Sequence, residues 1–168
     1  MWKKFYPDEY VDSAYEIDYE ELYREGYRGI LFDIDNTLVP HGLPADQRAK
    51  DLFKRLRQLG YHSLLLSNNK ESRVKTFAEA VGAECIYKAN KPAVKGYLKA
   101  MEKLHTNKRN TLFVGDQLFT DIWGAGRVGI RNFLVKPIHS KEEIQIVLKR
   151  FLEKIVLYFY LKDRKKKR

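Results

Sequence analysis

Five short apolar runs, Gly29–Phe32, Ser63–Leu66, Cys85–Tyr87, Thr111–Val114 and Asn132–Val135, recur through the middle of the chain. Between them lie amphipathic stretches of helical length, at about residues 45–59, 70–81, 92–104 and 118–128. The runs have the length of strands and little of the polar alternation expected of a strand with one wet face, so they read as buried strands. Strand, helix, strand repeated in this order predicts an α/β fold with a five-stranded parallel sheet and helices on both faces. In such sheets ligands bind beyond the carboxyl ends of the strands.

That rule directs attention to the residues just past each run. After the first comes Asp33-Ile34-Asp35-Asn36-Thr37, after the second Ser67-Asn68-Asn69, and after the fourth Gly115-Asp116 with Asp121 five residues on. After the third, Lys91-Pro92 precedes the next helical stretch, where proline suits a first turn. Four separate segments would thus meet at one crevice. Several carboxylates in one pocket repel one another unless a hard divalent cation sits among them, and all-oxygen ligation suits magnesium with a substrate phosphate. Lys91 and the Ser67 hydroxyl could hold the remaining phosphoryl oxygens, with Asn68 and Thr37 as further substrate-binding candidates; Asn68 and Asn69 could equally cap the helix that begins near Lys70. A carboxylate near the metal could attack phosphorus and form an aspartyl-phosphate.

These residues, in this order and in this strand context, resemble the four motifs of the haloacid dehalogenase superfamily of phosphatases, over residues 29–135. The resemblance implies a Rossmann-like fold and a role for each position. Asp33 would be the nucleophile and Asp35 the general acid and base. Ser67 and Lys91 would bind the phosphoryl group. Magnesium would be held by Asp33, the Asp35 backbone carbonyl and Asp116, with Asp121 in support or acting through water. Only about ten residues separate Thr37 from the next helical stretch, and the interval from Tyr87 to Lys91 is shorter still, so neither position where the family inserts a cap has room for one. A capless site suits a bulky substrate, such as a lipid, a protein or a nucleic acid end, or one covered by a neighbouring subunit. The whole chain is similar to the YqeG group of capless class IIIA members, related to phosphatidylglycerophosphate phosphatases. That similarity implies removal of the terminal phosphate from phosphatidylglycerophosphate.

Charge is unevenly distributed. Lys and Arg total 32 against 22 acids, a net +10, yet residues 1–25 carry three basic and eight acidic side chains, and residues 149–168 nine basic and two acidic. A basic end suits an anionic membrane surface or nucleic acid, although its commonest reading is a solvated tail. Ile144, Val147, Leu148, Phe151, Leu152, Ile155, Tyr158 and Phe159 follow helical spacing beside Lys149, Arg150 and Lys154. Such a helix can lie on an anionic bilayer, although packing of the stripe on the sheet or on a partner subunit is favoured. The chain reads as one domain over residues 1–168, with an acidic aromatic segment at about 1–27 and a basic helix and tail at about 141–168. It has one cysteine, no run of about 18 apolar residues and no apolar leader, which suits a reducing, cytoplasmic setting with peripheral membrane contact at most.

Several features take plainer readings. Tyr15, Tyr19, Tyr23 and Tyr27 recur every four residues, as on a helix face docked against the domain or a second subunit. Gly124-Ala-Gly126-Arg-Val-Gly129 matches a dinucleotide-binding glycine pattern, but it comes after a helical stretch and precedes a strand, the reverse of that fingerprint, so no dinucleotide is expected. Cys85 reads as a packed thiol, and His41, His62, His105 and His139 lack metal-ligand spacing. His41 could line the rim of the pocket, although a place in a surface loop is favoured. Two rival functions remain open from sequence: a phosphatase acting on a soluble metabolite, nucleotide or protein, and a non-catalytic protein bound to RNA or a ribosomal partner, nucleic acid being the less favoured partner.

Overall fold

The computed structural model describes residues 1–138 and 144–167, the side chains of residues 144–146 excepted. His139 and the Ile144 side chain therefore lie outside the described residues. The strands are β1 (Glu9–Val11), β2 (Gly29–Phe32), β3 (His62–Leu66), β4 (Glu84–Ile86), β5 (Thr111–Gly115) and β6 (Arg131–Val135), and the helices α1 (Tyr19–Arg24), α2 (Gln47–Leu59), α3 (Glu71–Val81), α4 (Val94–Leu104), α5 (Trp123–Val128) and α6 (Ile144–Lys166). Every strand pairing is parallel, in the order β1-β6-β5-β2-β3-β4.

The five expected strands are present, and a sixth corrects the count. β1 pairs along the outer edge of β6, with Glu9 opposite Phe133 and Val11 opposite Val135. Three residues, Glu-Tyr-Val, carry too short a pattern to be read as a strand from sequence, and an edge strand needs no apolar run.

Alternation along the strands divides the core. Ile30, Phe32, Leu65, Leu112 and Val114 face one side, where α2 and α3 supply Leu52, Phe53, Leu56, Val74 and Phe77. Leu31, Leu64, Leu66 and Phe113 face the other, against Tyr97, Ala100, Met101 and Leu104 of α4 and Ala125 of α5. Three- and four-residue spacing in each helix presents one apolar stripe to the sheet, and each fully buried large side chain stabilises the fold by about 1.5–3 kcal/mol. The Asp46 side chain accepts the Ala49 N–H at 2.8 Å and fixes where α2 begins.

The tyrosine repeat is not one helix. Tyr15 lies in a single 3₁₀ turn (Ala14–Glu16), Tyr19 and Tyr23 lie in the six-residue α1, and Tyr27 comes after it. All four nevertheless pack on the α2 side of the core, so the docking reading holds without the continuous helix. The glycine pattern falls within α5, and Gly129, at φ +77°, ends that helix. Cys85 is half-buried on the edge strand β4, where burial pushes its thiol above the ordinary value.

α6 departs from expectation most. Its docked face is formed by Arg150, Glu153, Val156, Leu157 and Tyr160, which meet Leu118, Ile122 and the aromatic start of the chain. The apolar stripe expected to pack on the sheet points away: Leu148 is 66% exposed, Phe151 62% and Tyr158 61%. Polar partners choose the docked face, and apolar periodicity cannot reveal them. The acidic start and basic end also touch, through Tyr6 to Asp163 at 3.1 Å and Arg164 to Glu9 at 3.9 Å.

Candidate active site

The strand order locates the crevice. From β2 the chain moves outward through β3 to β4, then returns to β5 on the opposite side of β2, so adjacent strands β2 and β5 diverge in their connections. Ligands bind at such a switch point. Phe32 is in register with Val114, and the Asp33 N–H donates to the Val114 carbonyl at 3.0 Å, so Asp33 and Asp116 emerge side by side from the ends of the two strands.

Beyond Asp33 the chain turns sharply. The Thr37 and Leu38 N–H groups donate to the Ile34 carbonyl at 3.1 and 2.9 Å, and Asn36 takes φ +61°. This turn separates the two carboxylates of the Asp-Ile-Asp sequence. Asp33 points to the buried cluster, whereas Asp35 accepts from the Gly42 N–H at 2.8 Å, from Arg73 at 2.9 Å and from Asn69 at 3.2 Å. Burial acts to raise the Asp35 pKa, but the Gly42 N–H and the Arg73 guanidinium outweigh it and hold the group below its ordinary value.

Asp33, Asp116 and Asp121 form the centre, all buried, each with a carboxylate oxygen within 4.8 Å of the others. Lys91 Nζ reaches Asp33 Oδ1 at 2.9 Å and Asp121 Oδ1 at 2.6 Å. The second Asp121 oxygen accepts the N–H groups of Asp116 and Gln117 at 3.2 and 3.1 Å. Asp121 can come this close because residue 115 is glycine: a Cβ there would stand 2.5 Å from Asp121 Oδ2. Burial, then repulsion from Asp121, pushes the Asp33 carboxyl well above the carboxylate range against the pull of Lys91. For Asp116, burial and the same neighbour raise the pKa to about 6, opposed by Arg150 and the Thr37 hydroxyl. Burial works against the Lys91 ammonium, yet Asp121 and Asp33 together hold it charged and raise its pKa.

The other expected residues gather here with distinct contacts. Ser67 is buried beside Lys91 and lines a cleft of about 330 Å³ with Asp33, Asp35, His41 and Asp121. Its hydroxyl accepts the Asn69 N–H at 3.1 Å. Asn68 also lines the cleft, but its amide is committed to Lys91, accepting the main-chain N–H at 2.7 Å and donating to the carbonyl at 3.1 Å. It thereby fixes the segment that presents the lysine. Thr37, expected at the substrate, instead gives its hydroxyl proton to Asp116 Oδ1 at 2.9 Å and is almost wholly buried.

Sequence reading missed Arg150 and Arg73. Arg150 crosses from α6 to make a close ion pair with the Asp116 carboxylate and donates to the Asp116 carbonyl at 2.6 Å. It also meets Glu153 at 3.0 Å, and Glu153 accepts the Leu118 N–H at 2.9 Å. Nothing in the local sequence marks either arginine, because both act across long chain separations.

Lys91 and Arg150 face four buried carboxylates, those of the triad and Glu153, so the cluster carries surplus negative charge when these are ionised. An all-oxygen donor set with surplus negative charge fits a hard divalent cation, and the residues that would hold it are Asp33, Asp116 and Asp121. A cation among anionic side chains, beside a lysine and a hydroxyl at the floor of an open cleft, is equipped to bind and transfer a phosphoryl group.

Comparison with known proteins agrees with this chemistry. Residues 41–129 match the haloacid dehalogenase-like hydrolase family. The chain is 37% identical to a Bacillus subtilis (strain 168) protein described as "Probable phosphatase YqeG", over 94% of this chain and 92% of that one. It is 30% identical to phosphatidylglycerophosphate phosphatase 1 of Arabidopsis thaliana, over 78% of this chain and 40% of the relative. In fold it is similar to the cobalt-bound deoxy-D-mannose-octulosonate 8-phosphate phosphatase of Haemophilus influenzae, with a TM-score of 0.56 at 12% identity over 81% of this chain and 90% of the other. With the four sequence motifs converging at the end of one parallel sheet and a relative alike over nearly its whole length, this chain belongs to the haloacid dehalogenase-like hydrolases and is a phosphatase of that superfamily.

Proposed function

We propose that the chain is a magnesium-dependent phosphomonoesterase working through an aspartyl-phosphate on Asp33, and that it converts phosphatidylglycerophosphate to phosphatidylglycerol. The observation that carries the reading is the buried triad of Asp33, Asp116 and Asp121 bridged by Lys91 at the switch point of the sheet. Bound magnesium would offset the charge of the triad and of the phosphoryl oxygens.

An Asp33 carboxylate oxygen attacks phosphorus. As the Asp33 O–P bond forms, the bond to the leaving alcohol breaks, and a proton passes from Asp35 to the departing oxygen. A water then attacks the phosphoryl group, giving its proton to the Asp35 carboxylate, and the Asp33 O–P bond breaks to release phosphate. Lys91 and Ser67 hold the equatorial oxygens, and the residues that would hold the metal are Asp33, Asp116 and the Asp35 backbone carbonyl, with Asp121 in support. Asp35 in its present position is held ionised by Gly42 and Arg73, which suits the second step. For the first step it needs a proton and a turn toward the leaving group.

The lipid substrate is supported by the Arabidopsis relative and by the short connections beside the site: residues 38–46 join Thr37 to α2, and residues 87–90 join β4 to Lys91. Neither leaves room for a cap, so a large amphiphile could reach Asp33. The protein would work in the cytoplasm, on the inner face of the bilayer that holds this lipid. Detergent-dispersed phosphatidylglycerophosphate assayed beside glycerol 3-phosphate and nucleoside monophosphates tests the reading. Magnesium-dependent phosphate release from the lipid is expected. Turnover of the soluble esters alone would remove the lipid substrate and leave a phosphatase of small metabolites.

A further inference from the structure

We infer that the outward face of α6 is a docking surface for an anionic lipid bilayer. The inference deepens the lipid-substrate reading and rests on it for its purpose, whereas the surface itself is argued from side chains. Eleven large hydrophobic residues are exposed among the described residues, and seven of them belong to α6. Each docked residue, Glu153, Val156 and Leu157, stands two positions before an exposed or half-buried apolar one, Ile155, Tyr158 and Phe159. Two positions turn a helix by about 200°, so the apolar face lies opposite the docked one. Leu148, Phe151, Leu152, Tyr158 and Phe159 together expose on the order of 500 Å². A contiguous apolar patch of that size marks an interaction surface.

Charge decides the occupant. The outward half of α6 carries Lys154, Lys162, Lys165 and Lys166, all exposed. Both acids of the helix are turned inward, Glu153 onto the Leu118 N–H and Asp163 onto Tyr6. An apolar face bordered by lysines and free of exposed acids is complementary to anionic headgroups above acyl chains. A second copy docked there would bring a second set of lysines against the first. A 23-residue helix that lies on the bilayer also agrees with the observation that no described helix is long and apolar enough to cross one.

The geometry couples surface to site. Arg150 leaves one side of α6 to reach Asp116, while Leu148, Phe151 and Leu152 leave the other. Lipid-facing side chains and the metal-binding carboxylate are thus separated by roughly the thickness of one helix, about 10–12 Å. A protein seated on α6 would hold its cleft near the headgroups.

Sedimentation of the full chain with vesicles of phosphatidylcholine, alone or mixed with phosphatidylglycerol, tests the inference, with p-nitrophenyl phosphate hydrolysis read in parallel. The wild type should pellet with the mixed vesicles, and less so as salt is raised. The exposed triple variant Leu148→Ser/Phe151→Ser/Leu152→Ser should bind them about tenfold or more weakly while hydrolysing the soluble ester as before. Lys154→Gln/Lys162→Gln/Lys166→Gln should lose the salt-dependent part of binding. The inference fails if the wild type ignores anionic vesicles, if the apolar variant binds them equally, or if the wild type is a dimer that this variant dissolves into monomers. Vesicle binding without any ester hydrolysis would support the surface and strike the phosphatase mechanism.

Discussion

Replacing Arg150 with alanine removes the ion pair that ties α6 to the Asp116 carboxylate. The Asp116 side chain is 0% exposed and that of Arg150 15%, so the pair is shielded from water. Removing one partner of a buried pair costs about 3–5 kcal/mol, because the other charge stays behind uncompensated. Two effects bound the loss. Asp116, already raised to about 6, would rise further without the guanidinium and could take up a proton. A divalent cation could also replace the missing positive charge. Linkage sets the sign: a carboxylate with a raised folded pKa favours the fold below its unfolded value and disfavours it as pH climbs through the folded one. Arg150→Ala should therefore lose about 3 kcal/mol at pH 8 and less at pH 6. For a chain of this length that is a fall in Tm of roughly 6–12 °C at pH 8. Thermal unfolding monitored by circular dichroism at both pH values, with and without magnesium, reads the effect, and magnesium should restore more in the variant than in the wild type. A fall below about 2 °C at pH 8, or an equal fall at both pH values, would refute the reasoning.

Asp33→Asn should abolish turnover by at least about a thousandfold with the far-ultraviolet spectrum unchanged, since the nucleophile loses its charge and little volume; residual activity within about tenfold of wild type would dismiss the role. Metal binding should weaken as pH falls through about 6, because a proton on Asp116 competes with the cation. Calorimetric titration with magnesium at pH 5.5 and 7.5 checks this, and equal affinities would contradict it. Arg73→Gln removes the cation beside Asp35 and should raise that carboxyl's pKa, moving the alkaline limb of kcat/KM to higher pH for an alkyl phosphate. An aryl phosphate, whose leaving group needs no proton, should show no such movement; identical behaviour of the two esters would remove Asp35 as the acid.

Much of the fold and site was legible in the sequence because it is written in local pattern. Five strands announce themselves by apolar runs, and the residues after four of them inherit a position at the carboxyl edge of the sheet. Hence Asp33, Ser67, Lys91 and Asp116 could be gathered on paper from the strand-end rule alone. What escaped was set by long-range partners. β1 is only Glu9-Tyr10-Val11, and its pairing depends on the exposed edge of β6. α6 has an unmistakable apolar stripe, yet its orientation is chosen by Arg150 meeting Asp116 and Glu153 meeting the Leu118 N–H. The Thr37 hydroxyl faces Asp116 because a four-residue turn buries it, a consequence of the Asn36 conformation that residue type does not dictate.

The central claim is that Asp33 carries the phosphoryl group during turnover. Enzyme mixed with magnesium and substrate, quenched in acid within the first turnover and digested for mass spectrometry, addresses it directly. The account predicts one phosphoryl group on the peptide containing Asp33, confined to that side chain and missing from Asp33→Asn. A phosphoryl group on another residue, or steady hydrolysis of an aryl phosphate, whose leaving group needs no proton from Asp35, in which none accumulates even when the second step is slowed by Asp35→Asn, would contradict it.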